Sequence, residues 1–191
     1  MPNRAAPVRK RTRTLFNLPN LFTLARLLLT PFIASGILTG HYGRAIVLLF
    51  AAGFTDVMDG YLARRFKIST RIGAYFDPIA DKILLGAIYI SLGLAGAIPW
   101  WMVGIVFGRD MLILAMAAYG LLFTQLRKFP PSVWGKISTF LQIGAALVVM
   151  GARAGIAAPV TLALYLMVFG TIVSGIHYVW RALVLLRQTA H

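Results

Sequence analysis

Six long apolar stretches, bounded by glycine, proline or basic residues, limit this chain more than any other feature. They cover residues 20–39, 45–62, 73–96, 99–123, 135–151 and 159–186. As a helix rising ~1.5 Å per residue, each can cross a hydrocarbon core ~30 Å thick, the fifth only just. Backbone in lipid must satisfy its own N–H and C=O groups, which favours helices over loops or open sheets. The expected fold class is therefore all-α: a polytopic membrane protein with six transmembrane helices. Turn chemistry stands at the joints, at Gly40 and Gly43, Pro99, Pro130 and Pro131, and Pro159.

Charge supports the same reading. Only 13% of the 191 residues are charged and 59% are hydrophobic, whereas a soluble domain carries about 25% charged residues. There is no cysteine, which excludes disulfides and thiolate metal sites. Residues 1–14 form a basic arm with Arg4, Arg9, Lys10, Arg11 and Arg13, ahead of a membrane domain over 15–191. The arm reads as an uncleaved cytoplasmic segment, with a targeting segment as the alternative.

Arg64, Arg65, Lys67 and Arg71 follow the second span, and Arg127, Lys128 and Lys136 lie between the fourth and fifth. The other side shows only Arg44 and Arg153. By the bias of Lys and Arg toward the cytoplasm, both termini and the loop after the second span are expected there. The expected location is a bacterial inner membrane with the active site on its cytoplasmic side. A formal charge of +14 suits contact with anionic membrane lipids. Nucleic acid is set aside as a partner, because the basic residues flank apolar spans. The four tryptophans, Trp100 and Trp101 among them, fit an interfacial belt.

The acidic residues are few and gathered. All five are aspartates, and four of them, Asp56, Asp59, Asp77 and Asp81, fall within one short stretch. With both halves helical at ~100° per residue, Asp56, Asp59, Gly60 and Ala63 share one face, and Gly73, Asp77 and Asp81 another. The short link between them makes the two helices expected neighbours, with carboxylates converging near the cytoplasmic end. Four such carboxylates repel unless cations neutralise them. Oxygen donors without His or Cys select Mg²⁺, Mn²⁺ or Ca²⁺, and four charges suit two ions. Paired ions suit phosphoryl chemistry. Gly60, Ala63 and Gly73 leave space on the same faces, and Arg64 can clamp a diphosphate through its planar fork. The bland alternative, aspartates merely paired with nearby arginines at a helix end, leaves the small residues unexplained.

The stretch from Asp56 to Asp81 resembles the CDP-alcohol phosphatidyltransferases, matching D-x2-D-G-x2-A-R-x8-G-x3-D-x3-D at every defining position. Looser similarity to the phosphatidylglycerophosphate synthase and cardiolipin synthase branch extends over Pro19 to Arg26, Gly108 to Asp110 and Gly135 to Gln142. The resemblance implies that Asp56, Asp59 and Asp77 hold two divalent ions, Mg²⁺ or Mn²⁺. With Arg64 these grip the diphosphate of CDP-diacylglycerol, while Gly60, Ala63 and Gly73 admit the cytidine. Asp81 would be the general base on an acceptor hydroxyl, and CMP would leave. Asp81 is expected to lie deepest in the membrane, where desolvation brings a carboxylate toward a useful pKa. A homodimer is implied by the resemblance alone.

The acceptor is expected to be a glycerol-type alcohol, phosphatidylglycerol or glycerol 3-phosphate. Arg26, Arg109, Lys136 and Arg181 are candidates to bind it. Arg109 has a second reading, as a partner of Asp110 or of the main cluster, because an intramembrane charge must face the interior. Lys136 could equally snorkel, and His177 is read as packing. Phosphatidylglycerophosphate synthases tend to carry Arg-Glu where this chain has Arg109-Asp110, and a further Arg about two turns on, where it has Ala117 and Ala118. That inclines the reading toward a cardiolipin-synthase-like acceptor. The competing function is a cation-coupled transporter using the aspartates, but it predicts acids spread through the bilayer and repeat symmetry, and neither is present.

Overall fold

The computed structural model describes the backbone of residues 18–66, 73–123 and 133–189, and the side chains of 24–55, 57, 58, 79–116, 133–181, 183 and 184. Within these residues there are six helices and no strand: α1 Leu18–Leu38, α2 Tyr42–Phe66, α3 Gly73–Leu94, α4 Trp100–Phe123, α5 Val133–Arg153 and α6 Val160–Thr189. They follow the six apolar stretches in order, with ends displaced by a few residues. The second extends furthest, running a turn past residue 62 to Phe66. No breaker stands there, and Ala63, Arg64 and Arg65 all favour helix. The basic arm over 1–14 and the basic stretches 67–72 and 124–132 lie outside the described residues.

Two helices stop by the same device. Gly96 after α3 and Gly155 after α5 have φ of 62° and 95°, a left-handed conformation that costs glycine little. The following amides reach back across the helix end, Ala97 to the carbonyl of Leu92 at 2.9 Å and Ile156 to that of Gly151 at 3.0 Å. This is the Schellman pattern, which satisfies orphan carbonyls. Arg153 donates to the carbonyl of Gly96 at 2.8 Å, so the α3–α4 and α5–α6 turns meet at one end of the bundle.

α1 packs along both α2 and α3, α5 along α6, and α6 against α4; α2 also touches α5, and α3 makes lighter contact with α4 and α5. The expected direct packing of α2 on α3 is not among the close helix pairs of the described residues. α1 is instead their common neighbour. Gly36 allows this approach on the α2 side, where an added Cβ would stand 3.3 Å from that of Ala45.

The interior is built from Ile33, Ile37, Ala45, Ile88, Leu92, Val149, Met150 and Met167. It also holds Arg26, Thr30, Ser91, Arg109, Ser138, Gln142, Thr171 and Ser174. Large apolar side chains point outward instead, among them Phe32, Phe50, Phe169 and Phe140, the last 76% exposed. Water would penalise so much exposed apolar surface, whereas lipid accepts it and small polar residues then join helices inside. Val133–Arg153 and Val160–Arg181 are long and apolar enough to cross a membrane, and Leu24–Leu38 and Tyr42–Thr55 form shorter apolar segments.

Candidate active site

The aspartate stretch is helical on both sides of its link. α2 carries Asp56, Asp59, Gly60, Ala63 and Arg64, and α3 begins at Gly73 and carries Asp77 and Asp81. Spacings of three and four residues therefore do stack these positions on one face of each helix. The side chains of Asp56, Asp59, Ala63, Arg64 and Asp77, and the surroundings of Gly60 and Gly73, lie outside the described residues. Asp81 is the member of the set whose side chain is described.

Asp81 ion-pairs with Arg26, 55 residues earlier on α1. Arg26 is 1% exposed, whereas the Asp81 side chain is 56% exposed. On α3 Asp81 stands one turn before Leu85 and two turns before Tyr89, both of them buried. Thr30, one turn further along α1, donates its hydroxyl to the carbonyl of Arg26 at 2.9 Å.

Lys82, the next residue, points to the other side of α3 and ion-pairs with Asp110 of α4. Asp110 also accepts from Arg109 at 2.7 Å. The Arg109 guanidinium then donates to Ser174 of α6 at 3.1 Å, makes a longer 3.5 Å contact with the carbonyl of Gly135 on α5, and lies 5.9 Å from the Tyr178 ring centre. Arg109 thus pairs with Asp110, as one of its two readings has it, and Asp110, Gly135 and Ser174 together take three of its N–H donors. Its Nε is buried without a hydrogen-bond partner. Gly135 makes the crossing possible, because a Cβ there would lie 3.2 Å from Arg109 Nη2 and 3.1 Å from the Tyr178 hydroxyl. Beside Arg109, a largely apolar cavity of about 520 Å³ opens between α4 and α6, bordered by Gly108, Gly175 and Trp180.

The remaining candidates divide. Gln142 donates to Thr171 at 3.2 Å, and its backbone carbonyl accepts from the Tyr89 hydroxyl at 2.9 Å. With Ser138, which reaches Thr171 at 3.4 Å, it joins α5 to α6 and α3 rather than serving a substrate. Lys136 is exposed near the start of α5. His177 is half-buried and packs on Trp180 with ring centres 6.1 Å apart, as expected, and Arg181 is half-buried one turn later on α6. Lys82 is the residue that reading the sequence missed. Its one visible signal was its place beside Asp81, and its partner lies 28 residues away, beyond the reach of helical spacing.

The four aspartates thus lie on two helices, two on α2 and two on α3, with Arg26 of α1 paired to Asp81. The family sequence model for CDP-alcohol phosphatidyltransferases matches residues 16–185. The chain is similar to a protein of Mycobacterium tuberculosis named a probable phosphatidylglycerophosphate synthase, 35% identical over 87% of this chain and 82% of that protein. It is also similar to a probable CMP-forming cardiolipin synthase of Drosophila melanogaster, 32% identical over 73% of this chain and 43% of the other. A chloroplastic CDP-diacylglycerol–glycerol-3-phosphate 3-phosphatidyltransferase of Oryza sativa subsp. japonica is 37% identical over 54% of this chain and 31% of its own length.

Proposed function

The chain belongs to the CDP-alcohol phosphatidyltransferase family, and from that premise we propose that it transfers a phosphatidyl group from CDP-diacylglycerol to a glycerol-type acceptor, releasing CMP. The observation that carries this is the match over residues 16–185, within which the aspartate pattern from Asp56 to Asp81 is complete. The relatives' names divide between two acceptors, phosphatidylglycerol and glycerol 3-phosphate. The transporter reading has no support among them.

Asp56, Asp59 and Asp77, with Asp81 near them, would hold two Mg²⁺ or Mn²⁺ ions. When bound, the ions supply charge neutralisation for the diphosphate and the departing phosphate. Arg64 binds the diphosphate, and the small residues Gly60, Ala63 and Gly73 leave room for the cytidine. The Asp81 carboxylate takes the proton of the acceptor hydroxyl. The acceptor oxygen bonds to the phosphorus that bears diacylglycerol, the bond from that phosphorus to the CMP oxygen breaks, and CMP leaves with the electron pair. Arg26 holds Asp81 until the acceptor arrives, and its buried stem keeps the guanidinium in place.

In this reading all six helices span the membrane, with both termini and the residue 67–72 link in the cytoplasm. The setting is a bacterial inner membrane, with anionic lipids against the basic segments and a second copy of the chain as partner. The test is CMP release from CDP-diacylglycerol by purified protein across a panel of acceptor alcohols, with products identified by mass. Asp56→Asn, Asp59→Asn and Asp77→Asn should each abolish release and lose divalent-ion-dependent binding of CDP-diacylglycerol. Wild-type protein that releases no CMP with any acceptor and either ion would defeat the proposal.

A further inference from the structure

We propose that the Lys82–Asp110 ion pair is a positioning device, fixing the rotation of α3 and thereby the place of Asp81. The inference rests on the reading of Asp81 as the base. α3 and α4 meet along one narrow line. Near the turn that joins them, Gly93 faces Trp100 and Val103, where an added Cβ would stand 3.5 Å and 3.2 Å from their side chains. Further along, Gly86 faces Phe107 at 3.1 Å by the same measure. The next rung is Lys82 on Asp110. Steps of seven and four residues on α3, and of four and three on α4, keep these rungs on one face of each helix.

The first two rungs set a glycine against a bulky side chain, which allows close approach but gives little directional hold on helix rotation. The ion pair supplies direction at the point where the reacting carboxylate begins. Asp110 is itself an anchored partner. It is 15% exposed and held by Arg109, which is tied to Ser174 and Gly135 on α6 and α5. Asp81 and Lys82 lie ~100° apart around α3. Arg26 therefore holds the helix from the α1 side and Asp110 from the α4 side. Releasing either one lets α3 turn, and a displacement of ~1 Å in a reacting group can cost ~100-fold in rate.

The test uses the full chain in lipid–detergent micelles, with CMP release followed for Lys82→Met, Asp110→Asn, their double variant and Lys82→Arg. Each of the first two should lower kcat by about 10- to 100-fold, with KM for CDP-diacylglycerol changed by less than about threefold. The double variant should be no slower than the slower single, because both remove the same contact. Lys82→Arg should restore most of the turnover. Should Asp110→Asn fail to fold, Lys82→Gln is measured beside Lys82→Met, and an unchanged kcat in both counts against the idea. Losses that multiply in the double variant, or a raised KM with kcat intact in Lys82→Met, overturn positioning; the second would make Lys82 a substrate contact. Asp81→Asn is measured alongside. Turnover surviving in that variant sinks the reading of Asp81 itself, whereas multiplying losses with Asp81→Asn inactive sink only the inference.

Discussion

Arg26 and Asp81 form an ion pair between α1 and α3 in which the cation is buried and the carboxylate is not. The asymmetry decides what each substitution does. Asp81→Asn removes the proposed base and takes a charged partner from a buried guanidinium. It should abolish CMP release, keep CDP-diacylglycerol binding, and lower stability by about 1–3 kcal/mol. Thermal unfolding in detergent, together with binding and turnover assays, separates the three effects. A fully stable and active Asp81→Asn protein would leave the pair without either role.

Gly135 offers a test of the polar crossing between α4, α5 and α6. Gly135→Ala places a methyl group 3.2 Å from the Arg109 guanidinium and 3.1 Å from the Tyr178 hydroxyl. Overpacking of this kind costs about 1–3 kcal/mol. Gly144, on the same helix, has nothing within 4 Å of an added Cβ. Gly144→Ala should be neutral or stabilising by up to ~1 kcal/mol, as alanine favours helix over glycine. Comparing the melting temperatures of the two variants checks this. Equal effects would mean that Arg109 does not depend on Gly135.

The helices were legible from apolar run length, because a long apolar run between turn residues holds its backbone hydrogen bonds within itself most simply as a helix. The boundary at Phe66 was harder to place, since the charged residues after Leu62 lower hydropathy without breaking helix. The aspartate pattern could be read because its spacings are local. The partners of Asp81, Lys82 and Arg109 could not, because they depend on how α1, α4, α5 and α6 pack.

Membrane orientation is open to a direct measurement. The chain has no cysteine, so single cysteines can be introduced without removing others. Arg13→Cys and Lys67→Cys should resist an impermeant thiol reagent on intact cells and react once the membrane is opened. Ala157→Cys, exposed in the turn between α5 and α6, should react in both conditions. This position keeps the Arg153 bond to Gly96. Labelling of Lys67→Cys on intact cells would place the aspartate link on the outer side and reverse the topology.

The acceptor is the remaining choice, and the state of Arg109 bears on it. Glycerol 3-phosphate is small and dianionic, so the enzyme must replace the water around its phosphate with several charged donors. Arg109 is the cation of α4 nearest that role, yet its Nη1 bonds Asp110 and its Nη2 bonds Ser174, which leaves fewer N–H groups for a phosphate. The positions two turns further along α4 are Ala117 and Ala118. Lys136, Arg26 and Arg181 are the other candidates, the first exposed, the second buried and the third half-buried. Phosphatidylglycerol carries a single phosphodiester charge and is held in the bilayer by its own chains, so it requires fewer cations. With both acceptors at matched concentrations in mixed micelles, cardiolipin should therefore form faster than phosphatidylglycerophosphate. Installing an arginine, as in Ala118→Arg, should shift the ratio toward glycerol 3-phosphate. Exclusive formation of phosphatidylglycerophosphate by the unaltered chain would show that Lys136, Arg26 and Arg181 suffice for the dianion.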